Sequence, residues 1–146
     1  MDKPGSLAVK RRPTPSPGDK SVSFEERVSS EAGATEQLVE LMDQFADEWH
    51  LKVRESHSTR VYRGGTRSPA VWIEPSQGRL VVDLQSFSRK YPEADWSSIH
   101  TAFTRLFQIM NASNQPAARI SNLVVHRWDQ LRVEVLEPFF RPSRTQ

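Results

Sequence analysis

Apolar positions are scattered through the first 32 residues and become periodic from Thr35 onward. The early segment combines four prolines with many serines, glycines and charged residues. A chain of this composition buries too little apolar surface to offset the entropy lost on ordering. The pattern therefore predicts a disordered arm over residues 1–32, a single domain over 33–140 and a frayed tail over 141–146.

Two stripes of apolar residues predict amphipathic helices. Thr35 is the predicted N-cap of the first helix and Asp95 that of the second, because short polar side chains accept hydrogen bonds from the amides that open a helix. The stripes are Leu38, Leu41, Met42, Phe45 and Trp49 in the first helix, and Ile99, Ala102, Phe103, Leu106, Phe107 and Met110 in the second.

The opposite face of the first predicted helix is acidic. Such a face forms either a site for a metal ion or a basic partner, or a solvated surface that partly balances the basic segment that follows. We favour the solvated surface. The carboxylates are Glu36, Glu40, Asp43, Asp47 and Glu48.

From Leu51 to Phe87 the apolar period changes to two, which is typical of strands with one buried face. Glycine and proline punctuate this region and divide it into separate strands. The predicted elements are residues 51–62 with a turn or a bulge near 56–58, a loop over 64–69, and a hairpin of 70–74 and 79–84 around a turn at 75–78.

Residues 120–137 fit two patterns. Trp128, Leu131, Val135 and Leu136 recur as in a helix, whereas Leu131, Val133 and Val135 alternate as in a strand. We favour a helix that Pro138 ends. A short strand at 123–125 precedes it in this interpretation, and the following Phe139 and Phe140 fold back onto the core.

Together these elements predict an α+β domain, in which an antiparallel sheet of about three strands is covered on one face by two to three helices. The 146 residues suffice for one core. With no cysteine, the chain has no disulfide and no thiolate site. It contains neither a run of about 18 apolar residues nor a secretory signal, so we expect a soluble cytoplasmic protein without a membrane partner, or a nuclear one in a eukaryote.

The predicted arm contains a basic motif followed by two Ser/Thr-Pro pairs. The sequence Lys10-Arg11-Arg12-Pro13-Thr14-Pro15-Ser16-Pro17 is either a nuclear-import signal flanked by phosphorylation sites or an extended basic linker. We favour the linker, because proline-rich segments of this kind are extended and well solvated.

The net charge of +2 is too small to indicate a nucleic-acid partner, but the charge is unevenly distributed. Residues 51–70 carry five basic residues and one acid. Period two assigns Leu51, Val53, Val61, Ile73, Leu80, Val82 and Leu84 to the inner face of the sheet, against the helices. It assigns Lys52, Arg54, Arg60, Tyr62, Trp72, Arg79 and Val81 to the outer face.

Two functions compete for the outer face. Tryptophan, tyrosine and arginine anchor protein interfaces, which favours association with a protein partner or with a second copy. Cations combined with aromatic rings also bind single-stranded nucleic acid, and the amides of the loop at Gly64 and Gly65 could hold a phosphate. We favour protein association. The candidate binding residues in both cases are Lys52, Arg54, Arg60, Tyr62, Arg63, Arg67 and Trp72.

Motifs for catalysis are weak. The four histidines are isolated in the sequence, and neither a phosphate-binding glycine loop with its lysine nor a nucleophile elbow occurs. Glu55, Glu74 and Asp83 are the nearest approach to a magnesium site, but the lysine expected of a strand-borne nuclease is missing. We therefore expect a binding module that is not an enzyme and needs no metal or cofactor.

Overall fold

The computed structural model describes residues 31–110 and 115–144, with Glu31 and Ala32 described in backbone only. The predicted arm up to residue 30, including its basic motif, lies outside the described residues. Residues 111–114, 145 and 146 also lie outside them.

The described residues form an α+β fold, as predicted. The helices are α1 (Glu31–Trp49), α2 (Leu84–Lys90), α3 (Trp96–Leu106), α4 (Asn122–His126), α5 (Trp128–Leu131) and α6 (Glu137–Arg144), with a π-helical turn at Arg132–Leu136 and a 3₁₀ turn at Pro75–Gln77. The strands are β1 (Lys52–Glu55), β2 (Arg60–Arg63), β3 (Ala70–Glu74), β4 (Arg79–Val82) and β5 (Ala117–Arg119).

The strands form one antiparallel sheet in the order β1-β2-β3-β4-β5. The prediction of about three strands was therefore wrong for two reasons. The break in residues 51–62 is a turn, closed by a hydrogen bond from the Ser56 amide to the Thr59 carbonyl at 2.9 Å. The three-residue β5 carries too short a pattern to be recognised in the sequence.

The hairpin between β3 and β4 forms as predicted. Its connection is a 3₁₀ turn that ends at Gly78, whose φ of 59° lies in the left-handed region. A residue without Cβ adopts this conformation at little cost. The turn sets the register that pairs Glu74 with Arg79 and Trp72 with Val81.

Helix α1 already includes Glu31, the first residue described, which lies four residues before the predicted N-cap. Thr35 lies inside the helix and is only 7 % exposed, so its prediction as a cap was wrong. The helix ends where His50 adopts a φ of 56° and the Leu51 amide donates to the Ala46 carbonyl at 2.8 Å. This reversal leads directly into β1.

Two aspartates cap helices by accepting hydrogen bonds from backbone amides. Asp95 accepts from the Ser98 amide at 3.2 Å and opens α3, as predicted. Asp83 accepts from the Ser86 amide at 3.1 Å and opens α2, which was not predicted. The predicted strand at 79–84 therefore ends at Val82. Helix α3 ends at Leu106, so Met110 lies beyond it and is 42 % exposed, contrary to prediction.

The C-terminal segment is helical, as predicted, but its details differ. The predicted strand at 123–125 lies within α4, and Pro138 does not end the helix. A proline inside a helix lacks an amide donor and crowds the carbonyl four residues earlier. Here the amide of Glu137 bonds instead to the Arg132 carbonyl in a π-helical turn, which makes room for the proline. Helix α6 then includes residues 141–144 of the predicted tail.

One apolar core lies between the helices and the inner face of the sheet. Phe139 and Phe140 are each 1 % exposed, which confirms that they fold back onto the core. Phe139 stacks on Phe87 of α2 at 5.2 Å between ring centroids, and Phe140 contacts Phe45 of α1 at 6.0 Å. Helix α6 therefore packs against both α1 and α2. None of the helices within the described ranges is long and apolar enough to cross a membrane.

Candidate functional site

The β1–β2 register decides which predicted side chains share a face. Val53 pairs with Tyr62 and Arg54 with Val61. Paired residues point to the same side of a sheet, so the short turn reverses the odd and even positions between the two strands. The prediction assigned odd positions to the inner face on both sides of the turn. This assignment was therefore wrong for β2. Arg60 and Tyr62 lie on the inner face, and Val61 lies on the outer face.

Arg60 and Tyr62 bind Asp43 of α1. The guanidinium group of Arg60 contacts both carboxylate oxygens, with Nε 3.1 Å from Oδ1 and Nη2 2.9 Å from Oδ2. The Tyr62 hydroxyl donates to Oδ1 of the same carboxylate at 2.7 Å and accepts from Arg60 Nε at 3.1 Å. Arg60 Nη1 also lies 3.3 Å from Glu55 Oε1. We call Asp43, Glu55, Arg60 and Tyr62 the inner cluster.

The inner cluster joins α1 to the sheet. Tyr62 is 0 % exposed, and burial, reinforced by the Asp43 carboxylate, raises the pKa of its hydroxyl well above the usual range. The hydrogen bond to Asp43 raises the pKa of Arg60. A buried ring cannot stack on a base, and a guanidinium group held by two carboxylates has little capacity for another anion. Arg60 and Tyr62 are therefore not part of the candidate site.

Three of the other predicted cations form a row at the β1 side of the outer face. Lys52 and Arg54 occupy every second position of β1 and therefore share its outer face. Lys52 pairs with Arg63 across the β1–β2 ladder. We call Lys52, Arg54 and Arg63 the cationic edge. Among the described residues, no carboxylate forms an ion pair with them.

Exposure on the outer face rises toward this edge. Ala117 on β5 and Val81 on β4 are 2 % and 5 % exposed, whereas Trp72 on β3 and Val61 on β2 are half-buried. All four residues of β1 are exposed. The accessible part of the sheet is therefore its β1 edge.

Trp72 is held within the outer face by a polar network. Its indole Nε1 donates to Glu74 at 2.9 Å, and Glu74 accepts from Arg79 Nε at 2.7 Å. The Glu74 and Arg79 side chains are 15 % and 32 % exposed. The indole is thus fixed in orientation, with its polar atom satisfied inside the protein.

The loop between β2 and β3 is occupied by internal contacts. Arg63 Nε donates to the Ser68 carbonyl at 3.2 Å, and the Ser68 amide donates to the Gly65 carbonyl at 3.3 Å. A Cβ at Gly64 would lie 2.5 Å from the Cβ of Ser143 in α6, so only glycine fits there. Arg67 is exposed at the loop surface. The Ser68 amide is therefore used within the loop, and the Cα of Gly64 packs closely against α6.

The backbone of β1 adds a feature that the side-chain pattern did not predict. The Ser56 amide donates to the Thr59 carbonyl at the turn, which makes these two residues a hydrogen-bonded pair. Hydrogen-bonded and non-hydrogen-bonded pairs alternate along an antiparallel ladder. Arg54 consequently bonds inward to Val61, whereas Val53 and Glu55 direct their amides and carbonyls away from β2. Within the described residues, no strand pairs with this side of β1. In the sequence, the polar break near 56–58 indicated a turn. The length of that turn fixes which β1 residues bond to β2.

Residues considered for catalysis are dispersed. Glu55 faces Arg60, Glu74 lies on the outer face and Asp83 caps α2. His50 and His57 are exposed near β1, and His100 packs edge-on against Trp96 of α3. In the described ranges, no group of three histidine, aspartate or glutamate side chains is placed to hold a metal ion.

Two cavities of the described chain lie away from the cationic edge. One of about 410 Å³ lies between α2, α3 and α6, with Phe87, Ile99 and Pro138 in its lining. Another of about 440 Å³ lies beside β5 and is lined by Ile109, Met110 and Leu123. Neither contains a predicted binding residue.

Comparison with known proteins adds no family to this geometry. The chain matches no protein-family model, no curated protein and no solved structure. Inference about function therefore depends on the edge strand, the cationic edge and the outer face described above.

Proposed function

We propose that this protein is a non-catalytic binding module that associates with a protein partner through β1 and the adjoining outer face. The observation that carries the proposal is the exposure of all four β1 residues at the end of the sheet. The outward amides and carbonyls of Val53 and Glu55 can form a ladder with an added strand.

Strand addition is a common means of peptide recognition, in which backbone hydrogen bonds supply affinity and alternating side chains supply specificity. Soluble proteins usually protect an exposed edge by charge, because an unprotected edge pairs with other chains. Lys52 and Arg54 supply such charge here. They restrict which segments can bind, and they leave the backbone groups accessible.

Trp72 supports the same function. It lies on β3, two strands away from the edge, and it remains half-buried with its indole fixed by Glu74. A partly exposed, rigid aromatic ring contributes contact area at low entropic cost. A partner that crosses the outer face from β1 would contact Trp72 after passing Val61.

The alternative is binding of single-stranded nucleic acid to the same face. The cationic edge, Arg67 and Trp72 support it, since cations neutralise phosphates and an aromatic ring stacks on bases. Burial of Tyr62 removes one of the two predicted stacking rings, and the inner cluster neutralises Arg60. The remaining surface has one aromatic ring, which favours protein association.

The first test uses selection from a random peptide library with the full-length protein. Peptides that bind by strand addition should be lost with Val53→Pro, which removes an outward amide, and retained with Val53→Ala, which keeps it. Peptides that bind both variants equally would contradict the proposal.

The alternative function is tested by light scattering of purified protein at low and high salt, with absorbance at 260 and 280 nm recorded on the same peak. Protein association predicts a peak free of nucleic acid at low salt. Co-purified nucleic acid that dissociates at high salt would favour the alternative, because counterion release makes phosphate binding strongly salt-dependent.

A further inference from the structure

We infer that the segment recognised by β1 is an extended acidic strand in which carboxylate residues alternate with apolar ones. This inference rests on the proposed function and specifies the chemistry of its partner. It follows from which β1 side chains meet an added strand on each face, and at what distance.

An added strand that runs antiparallel to β1 pairs its backbone with Val53 and Glu55. Lys52 and Arg54 then occupy non-hydrogen-bonded positions relative to that strand. Opposed side chains are closest at these positions, with Cα atoms about 4.5 Å apart. Residues of the partner opposite Lys52 and Arg54 therefore contact them directly on the outer face.

Charge determines what those partner residues are. Lys52 has another cation, Arg63, on its β2 side. Glu55, the acid on β1, points to the inner face and is bound to Arg60 at 3.3 Å. The cationic edge therefore lacks an internal counter-charge among the described residues. Two carboxylates separated by one residue would supply it, because opposite charges placed across a ladder stabilise the pairing.

The residue between the two carboxylates faces Val53. The Val53 side chain lies on the inner side of β1 and is 39 % exposed, which makes it one of the most exposed large apolar residues described. An apolar partner residue would cover it. The recognised pattern is thus acid, apolar, acid.

A second copy of β1 does not fit this pattern. Two sheets joined edge to edge as a continuous antiparallel sheet share an outer face, so opposed residues must point to the same side. Centring the pair on Val53 places Lys52 opposite Arg54 twice, and centring it on Arg54 places the two Arg54 side chains opposite each other. Like charges in direct opposition destabilise a ladder. The edge therefore disfavours self-pairing and favours an acidic partner.

The experiment measures binding of labelled synthetic peptides to the full-length protein by fluorescence anisotropy. Three peptides are compared, one with glutamate alternating with valine, one of identical composition with its glutamates adjacent, and one with lysine alternating with valine. Hydrogen exchange of the Val53 and Glu55 amides is followed by NMR with and without each peptide.

We expect the alternating acidic peptide to bind best and to protect both amides. The double variant Lys52→Glu with Arg54→Glu should bind it about tenfold or more weakly and should bind the lysine peptide instead. The matched control is Arg89→Glu with Lys90→Glu, which makes the same change of charge at exposed positions of α2. This control should bind like the wild type.

Three outcomes would overturn the inference. Equal binding of the two acidic peptides would mean that only bulk charge is recognised. Protection of Val53 and Glu55 by the lysine peptide alone would refute the acidic partner and retain strand addition. If neither these three peptides nor any library-selected peptide protects the two amides, strand addition itself fails, and the proposed function fails with it.

Discussion

At the scale of single residues, the chain uses the same residue types for stability and for its candidate site. Arg60 and Arg54 are both strand arginines, yet one is bound to Asp43 and the other is exposed on β1. A guanidinium group bound by two carboxylates stabilises the fold, whereas one without a counter-charge is available to a partner. Position relative to α1 distinguishes them.

Asp43→Ala should reduce the free energy of unfolding by about 1–2 kcal/mol, since the Tyr62 hydroxyl loses its acceptor and Arg60 loses a bidentate partner. The Asp43 side chain is 40 % exposed, so solvent screening keeps the loss at this level. Asp47→Ala, at an exposed position of the same helix, is the control and should change little. Denaturant unfolding measures both, and equal losses would contradict the role of the inner cluster.

The raised pKa of Tyr62 predicts a stability loss in alkaline solution. The folded state keeps the hydroxyl protonated above the ordinary pKa of 10.0, whereas the unfolded state releases the proton there. Unfolding therefore releases protons, and the free energy of unfolding falls as pH rises above about 10. Below that pH the contribution is fully present.

Tyr62→Phe should reduce this alkaline loss, because phenylalanine has no proton to release. The measurement compares denaturant unfolding of both proteins at about pH 8 and about pH 11. The difference between the two pH values should be smaller in the variant. An identical difference in both proteins would show that Tyr62 ionises as readily when folded as when unfolded.

Among the elements, most features set by near neighbours were predicted, although the cap of α2 at Asp83 was not, and features set by distant pairing were missed. The N-cap of α3, the turn at Gly78 and the helical C-terminal segment follow from local sequence. The existence of β5 depends on its pairing with β4. Tertiary context overrides local preference in such cases.

In strand β1, pairing with β2 determines which backbone amides are bonded and which point outward. Arg54→Pro should lower the free energy of unfolding by about 1–3 kcal/mol, since it removes an amide bonded to β2 and leaves the Val61 carbonyl without its partner. Val53→Pro should lower it by less than about 1 kcal/mol, because its amide points outward and edge strands tolerate proline. Thermal and denaturant unfolding of the two variants would test this alternation, and equal losses would contradict it.

At the scale of the whole molecule, the sheet has edges of different character. One edge is the exposed β1, and the other is β5, where the Met110 amide donates to the Ala117 carbonyl at 2.8 Å. Partial cover of β5 leaves β1 as the accessible edge. We expect the charge on β1 to oppose association of copies through this edge.

Arg54→Glu should promote dimerisation of the protein. In the register centred on Val53, the introduced glutamate of each copy lies opposite Lys52 of the other, which replaces repulsion with attraction. Light scattering should show a mass that rises with protein concentration and falls with added salt. Wild-type protein should remain monomeric under the same conditions, and a salt-resistant wild-type dimer would contradict this view of the edge.

Residue type and local spacing were sufficient to predict the fold class, the hairpin around Gly78, the apolar faces of α1 and α3 and the concentration of basic residues in 51–70. These features depend on residue type and spacing within a few positions, so they are visible without the fold. In the structure, five of the seven predicted site residues remain on the accessible side: Lys52, Arg54, Arg63, Arg67 and Trp72.

The roles of Arg60 and Tyr62, by contrast, were visible only once the strands were paired and packed, because tertiary structure sets both. Their face depends on how a four-residue turn pairs β1 with β2, and their partner Asp43 lies 17 residues from Arg60 along the chain. Tertiary structure also decided that Val53 and Glu55 direct backbone groups outward. The physical reason is that strand period fixes which residues share a face of one strand, whereas register and packing fix which of those faces meets the core.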